Sequence, residues 1–180
     1  MSSDLLPAAR AWVESVDHPH EAHLLRTEHW LLELEPDASE GLRLAAVLHD
    51  IERAFPDPES GWDSSRDGAN PEYNRWHQDR CADIATAWLR EQGASSELVA
   101  EVDELIRVHE EGGWREADLL QAADSLSFLE TLTWLMKRWP RANAEAKLDA
   151  SVERIKPSLP RARELAEPLR EAAKSALVAA

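Results

Sequence analysis

Cysteine, glycine, tyrosine and phenylalanine are all scarce in this chain of 180 residues, which has one Cys, six Gly, one Tyr and two Phe. A single cysteine, Cys81, excludes an internal disulfide, and a reducing compartment fits best. Few glycines among many Ala, Leu, Glu and Arg favour helix over strand. No stretch approaches the roughly 20 apolar residues that span a bilayer. The opening MSSDLLPAARAW has no basic segment followed by an apolar run, so a secretory signal is not expected. Positive charge is also in deficit: 20 Lys and Arg stand against 35 Asp and Glu, a formal net charge of −15. That balance argues against a nucleic acid polymer or an anionic membrane as the main partner. A small anionic ligand stays open, because a bound cation reverses the local field. The expectation is a soluble cytoplasmic protein.

What is present is helical periodicity almost throughout, without two-residue alternation. The spacing predicts an all-α chain, a single-domain helical bundle, with helices over 5–16, 21–34, 39–54, 72–92, 95–110 and 115–139. Asp37 and Glu40 have capping-box spacing for the third of these. The segment 55–74, rich in Pro, Gly, Asp and Ser, is the one long irregular stretch. It is expected to lie over the site as a lid. Residues 1–20 read as an N-terminal helix and turn, 21–140 as the main helical domain, and 141–180 as a helical extension packed on it. Pro157, Pro160 and Pro168 break that extension. Its amphipathic tail suits packing in cis or in a homodimer.

The informative feature is where polar residues fall on the apolar stripes. His77 shares a helical face with Cys81, Ile84 and Trp88, and His109 with Leu98, Val102 and Leu105. Asp124 lies between Leu120 and Phe128, each four residues away. In LRLAAVLHDIERAF, His49 falls on the stripe of Leu42 and Ala46, with Asp50 beside it. His23 opens the second helix. Any one buried histidine is usually a hydrogen-bonded core residue. Five elements each sending an imidazole or carboxylate inward are different, because buried carboxylates are costly without a charged partner. A divalent cation removes that cost. Imidazole and oxygen donors suit Fe, Mn, Co, Ni or Zn over calcium. Adjacent His and Asp in mid-helix, about 100° apart around the axis, can flank one ion.

The ordered residues H-x-x-R at His23 and Arg26, then AAVLHDIER, then His77, IRVHEEGG and AADSLSFLE, resemble the HD-domain superfamily of metal-dependent phosphohydrolases. The resemblance covers about residues 20–130. It implies that His23, His49, Asp50 and Asp124 hold a metal, and that His77 and His109 hold a second one with Asp50 bridging. With one metal, His77 and His109 would contact the phosphate or protonate the leaving group. The cofactor is then one or two divalent ions from Fe, Mn, Co, Ni, Zn or Mg. The chain departs from HD-I-G-K, having Glu52 and Arg53 in place of Gly and Lys. Glu52, two residues after the Asp where other members have an acid at three, is a candidate catalytic group. Arg26 and Arg53 are candidates for phosphate contact, since guanidinium matches phosphate oxygens. Trp76, beside His77, is a candidate base-stacking residue, as are Trp62 and Trp114. Trp30, Trp88 and Trp134 fit core stripes. His18 and His20 are expected in a solvent-facing turn, His29 at the surface or behind the site, and Asp118 as an acid of a first helical turn.

The resemblance implies hydrolysis of a small phosphorylated molecule, a phosphate ester or anhydride such as a nucleotide. An HD-type di-iron oxygenase would use nearly the same ligands. A non-catalytic metal-binding regulatory module would have let some of the six ligand positions erode, and all six are intact.

Overall fold

Leucine and alanine recurring every three to four residues build α1 (Leu6–Ser15), α2 (Glu21–Leu34) and α3 (Glu40–Leu48), followed by a 3₁₀ turn at Ile51–Ala54. After a short 3₁₀ turn at Pro58–Ser60 come α4 (Ser64–Asp67), α5 (Pro71–Glu91), α6 (Ser96–Ile106) and α7 (Arg115–Thr131). A 3₁₀ turn at Thr133–Arg138 leads into α8 (Arg141–Glu153) and α9 (Pro160–Val178). The computed structural model describes residues 5–68 and 70–178, and among them there is no strand. The fold is all-α, as composition and periodicity predict. No described helix is long and apolar enough to cross a membrane.

Helix ends follow local chemistry. Ser95 and Asn70 cap α6 and α5, and Pro71 and Pro160 open α5 and α9, where a missing N–H costs nothing. The capping box expected from Asp37 is replaced by Ser39, whose hydroxyl accepts from the Leu42 N–H. Glu40 turns away instead and accepts from the Leu5 N–H, tying α1 to α3. The helix predicted over 115–139 stops at Thr131. Ser125 and Thr131 send their hydroxyls to the carbonyls four residues back, Gln121 and Ser127, a pattern that loosens a helix.

α2 lies along α7 and packs on α3; α3 also packs on α6, and α6 on α5. These contacts bury Leu24, Leu31, Leu44, Leu48, Ile51, Leu89, Ile106 and Leu120 completely. Each such side chain contributes about 1.5–3 kcal/mol. A second apolar cluster joins Leu126 and Leu129 of α7 to Leu148, Val152 and Ile155 of α8 and its turn, and to Ala162 and Ala166 of α9. The C-terminal segment thus covers the far side of α7. Glu28, buried on α2, is clamped by Arg10 of α1 and Arg43 of α3, so the first three helices are fixed in rotation as well as depth.

Candidate metal centre

The His-Asp doublet does not sit in mid-helix. α3 ends at Leu48, His49 is its C-cap, and Asp50 leaves the helix with φ −111° and ψ 15°. The Asp50 carbonyl accepts from His18 Nε2 at 3.0 Å and from the Arg53 N–H at 3.1 Å, so a side chain and a 3₁₀ bond replace the α-helical donor. This break sends the two neighbouring side chains to different places. His49 joins His23 and Asp124; Asp50 joins His77 and His109. In each group, one ligand atom per residue lies within 4.8 Å of the others.

In the first triad, Asp124 Oδ1 is 3.2 Å from His23 Nε2 and 3.6 Å from His49 Nε2. In the second, Asp50 Oδ1 is 2.8 Å from His77 Nε2 and 3.9 Å from His109 Nε2. The rings of His23, His49, His109 and His77 follow one another edge to face at 5.2–5.3 Å, a continuous chain linking the triads.

Each imidazole is oriented by its other nitrogen. Nδ1 of His49 donates to the Ala46 carbonyl at 3.0 Å, and that of His109 to the Ile106 carbonyl at 2.8 Å. His77 Nδ1 donates to Glu52 Oε1 at 2.8 Å. The Ser127 hydroxyl is committed to the His23 carbonyl, so its oxygen accepts from His23 Nδ1 at 2.9 Å. The network therefore assigns Nδ1 as the protonated nitrogen and turns every Nε2 toward the carboxylates. The Nε2 atoms of His49, His77 and His109 are buried without a hydrogen-bond partner. For His77 the atom facing Nε2 is Asp50 Oδ1, at 2.8 Å. Buried lone pairs left unmatched are costly, and converging ones are what a shared cation satisfies. The donor set fits a divalent metal.

Electrostatics separates the six groups. Burial would raise both carboxyls, but Arg53 and then His77 hold Asp50 well below the usual carboxylate range, and Arg154 with His23 does the same for Asp124. Burial would depress His77, yet the Cys81 sulfur and the Asp50 carboxylate raise it well above the ordinary value. The Asp50 contribution is the lasting one, because burial raises the Cys81 thiol and keeps it protonated. Against the same burial, the nearby Asp124 and Asp50 carboxylates raise His49. His109 falls to about 4 through burial and the neighbouring His49. His20 also falls to about 4, and His18 is lowered, chiefly by burial.

These directions define a pH profile for the metal-free protein. Groups lowered in the fold (His109, His20, His18) take up protons first when unfolded, so their stability is lost as pH falls from about 6.5 toward 4. Raised groups (His77, His49) stabilise fully below about 6.5 and lose that contribution as pH rises through their folded values. Stability in chelator is therefore expected to peak near pH 6.5. Urea midpoints measured from about pH 4 to 9 check this; a midpoint climbing steadily above pH 7 would contradict it.

The six ligand positions read from the sequence thus all meet. Glu52 acts on His77, whose ring it orients, and ion-pairs with Arg53 at 3.3 Å. Arg53 is at the site, 3.8 Å from Asp50 and donating to the Tyr73 hydroxyl at 2.5 Å. Arg26 is engaged elsewhere: it pairs with Glu130 and stacks on Trp30. Trp76 packs beside Tyr73 under the Arg80 guanidinium, while Tyr73 itself stacks on His77. The 55–74 segment touches this corner through Trp62, which meets the Tyr73 ring. Trp114 is exposed, at the start of α7. His29 is exposed, and Asp118 accepts from the Gly113 N–H.

Two expectations are corrected. His18 is buried, holding the Asp50 carbonyl, and its Nδ1 accepts from the His20 N–H, so the turn points inward. Trp134 leaves the core, 54% exposed, because α7 ends before it. It lines a cavity of about 260 Å³ together with His18, His20, Thr131, Leu132 and His23 of the first triad. The sequence reading missed Arg154 altogether. From the turn after α8, Arg154 donates to Asp124 Oδ2, to Glu110 and to Ser125 Oγ at 2.7 Å. Its only signal was a basic residue in a segment with no motif.

A family model described as a domain of unknown function, DUF4202, matches residues 4–173. No curated protein and no solved structure matches the chain.

Proposed function

We propose that this chain, which belongs to the DUF4202 family, is a metal-dependent phosphohydrolase acting on a small phosphate ester or anhydride, a nucleotide being the favoured type. The observation that carries the reading is the pair of triads: two carboxylates and four imidazoles converge, three of the imidazoles with a buried, unpartnered Nε2. His23, His49 and Asp124 would hold one divalent cation, and Asp50, His77 and His109 a second. The likeness to the HD-domain pattern points to the same six ligands, with Asp50 shared between the two cations. A cation bound there supplies a Lewis acid for phosphoryl oxygens and makes water acidic near neutral pH.

The protein's own groups set the rest. The Nδ1 anchors at Ala46, Ile106, Ser127 and Glu52 keep the imidazoles in one tautomer and one rotation, so no reorganisation is needed as ligands are engaged. Arg53 projects its guanidinium beside Asp50, where substrate oxygens would approach. The cavity under Trp134 opens beside His23 and gives a leaving group an aromatic wall.

Protein purified without chelator is expected to carry about two divalent ions per chain and to release phosphate from nucleotides or simple phosphomonoesters without oxygen. Chelation should abolish turnover and metal return should restore it. Undiminished phosphate release by metal-free protein would overturn the assignment. Oxygen uptake without phosphate release would replace it with oxidative chemistry.

A further inference from the structure

Among the described residues three cations stand near the two triads, and two of them already have acidic partners. Arg53 is held by Tyr73, Glu52 and Asp50. Arg154 is held by Asp124, Glu110 and Ser125. The third is Lys147 of α8. It lies seven residues before Arg154 on the same face, about 10 Å along the helix. Its ammonium rests 5.2 Å above the ring of Phe128, one turn beyond Asp124 on α7. Among the described residues no carboxylate is within ion-pairing distance of it. The side chain is half-buried, so the charge is neither fully hydrated nor paired.

Resting on the hydrolase reading, we propose that Lys147 binds the phosphate of the substrate, its ammonium donating to a phosphoryl oxygen at the edge of the two triads. The electrostatic neighbours of Lys147 agree. Burial and Arg154 depress its ammonium, while Glu110, Asp124 and Asp50 pull the other way, so it feels one carboxylate from each triad. Arg154 already neutralises the Asp124–Glu110 pair, and a second cation beside it is repelled unless an anion comes between them. A phosphate oxyanion is that anion. Lysine suits the task as a point charge on a flexible stem, able to follow the phosphate through hydrolysis. Lys147 therefore acts as a binding residue supplied by the C-terminal segment, outside the stretch that carries the metal ligands.

The probe is inorganic phosphate, titrated calorimetrically into metal-loaded protein, with Lys147→Met and Lys147→Arg beside the wild type. Methionine keeps the stem over Phe128 while removing the charge, so folding and metal content should be preserved, as circular dichroism and metal analysis would show. Lys147→Met is expected to weaken phosphate binding roughly 10- to 100-fold and to raise KM with a smaller change in kcat. Lys147→Arg should recover part of both. If wild type hydrolyses substrate and Lys147→Met binds phosphate within about two-fold of it, the lysine assignment is overturned and the hydrolase reading survives. If metal-loaded wild type neither binds phosphate nor releases it, both fall together.

Discussion

Asp50→Asn protein is expected to keep its helices, lose the cation of the second triad and hydrolyse substrate at least about 10³-fold more slowly than wild type. The side chain keeps its volume, so the core around Ile51 and Leu48 is undisturbed. What goes is the carboxylate charge that draws His77 and His109 onto one point, with His77 only 2.8 Å away. The substitution also leaves Arg53 with Glu52 as its one acidic partner among the described residues. Metal analysis and phosphate release measured on one preparation check both parts. A variant that holds its full metal complement and turns over normally would remove Asp50 from the centre. The His49 side of the doublet predicts a different loss, because His49 serves the first triad with His23 and Asp124.

Arg154→Met should give the largest change in stability. Among the described residues Arg154 is the one cation ion-paired with Asp124 Oδ2 and Glu110, and its side chain is only 22% exposed. Against a burial that would lower it, the Asp124 and Glu110 carboxylates raise its guanidinium, while Arg154 in turn holds both carboxyls low. Removing one partner of a buried pair strands the other, at about 3–5 kcal/mol. For a chain of this size that lowers Tm by about 10 °C. The loss should be greatest in chelator and smaller with metal, since a bound cation gives Asp124 a replacement charge. Adding Glu110→Gln should restore part of the stability, because one of the two stranded charges then disappears. Calorimetry with and without metal tests all three statements; a metal-free Tm within 2 °C of wild type, a shift below about 1 kcal/mol, would show that the cluster is solvated.

How much of the site could be read in advance differs from residue to residue. His77 is on a helical stripe with Cys81, and His109 follows Leu105 by four, so periodicity alone turns both inward. Asp124 announces itself as a carboxylate among apolar neighbours. The doublet was legible as a metal feature, but its geometry was not. Periodicity continues through HDIERAF, whereas the helix stops at Leu48 because His18, from a turn more than thirty residues away, takes the Asp50 carbonyl. Nothing in the local sequence encodes that contact. Arg26 had the motif spacing of a phosphate-binding residue, and Glu130 on the opposite helix captured it. Trp134 followed a core stripe that exists only if α7 continues past Thr131, which it does not.

By itself the sequence determined most of the helices and the burial of six candidate ligand side chains. Both follow from the 3.6-residue period and from which residues share a stripe with leucine and alanine. Tertiary structure alone divided those six into two triads, chose Nδ1 as the anchored nitrogen of each imidazole, and brought Arg154 onto Asp124 and Lys147 over Phe128. The physical reason is that a stripe fixes only the direction in which a side chain points from its own helix. Which groups meet there, and which charges they must share, depends on contacts between segments far apart along the chain.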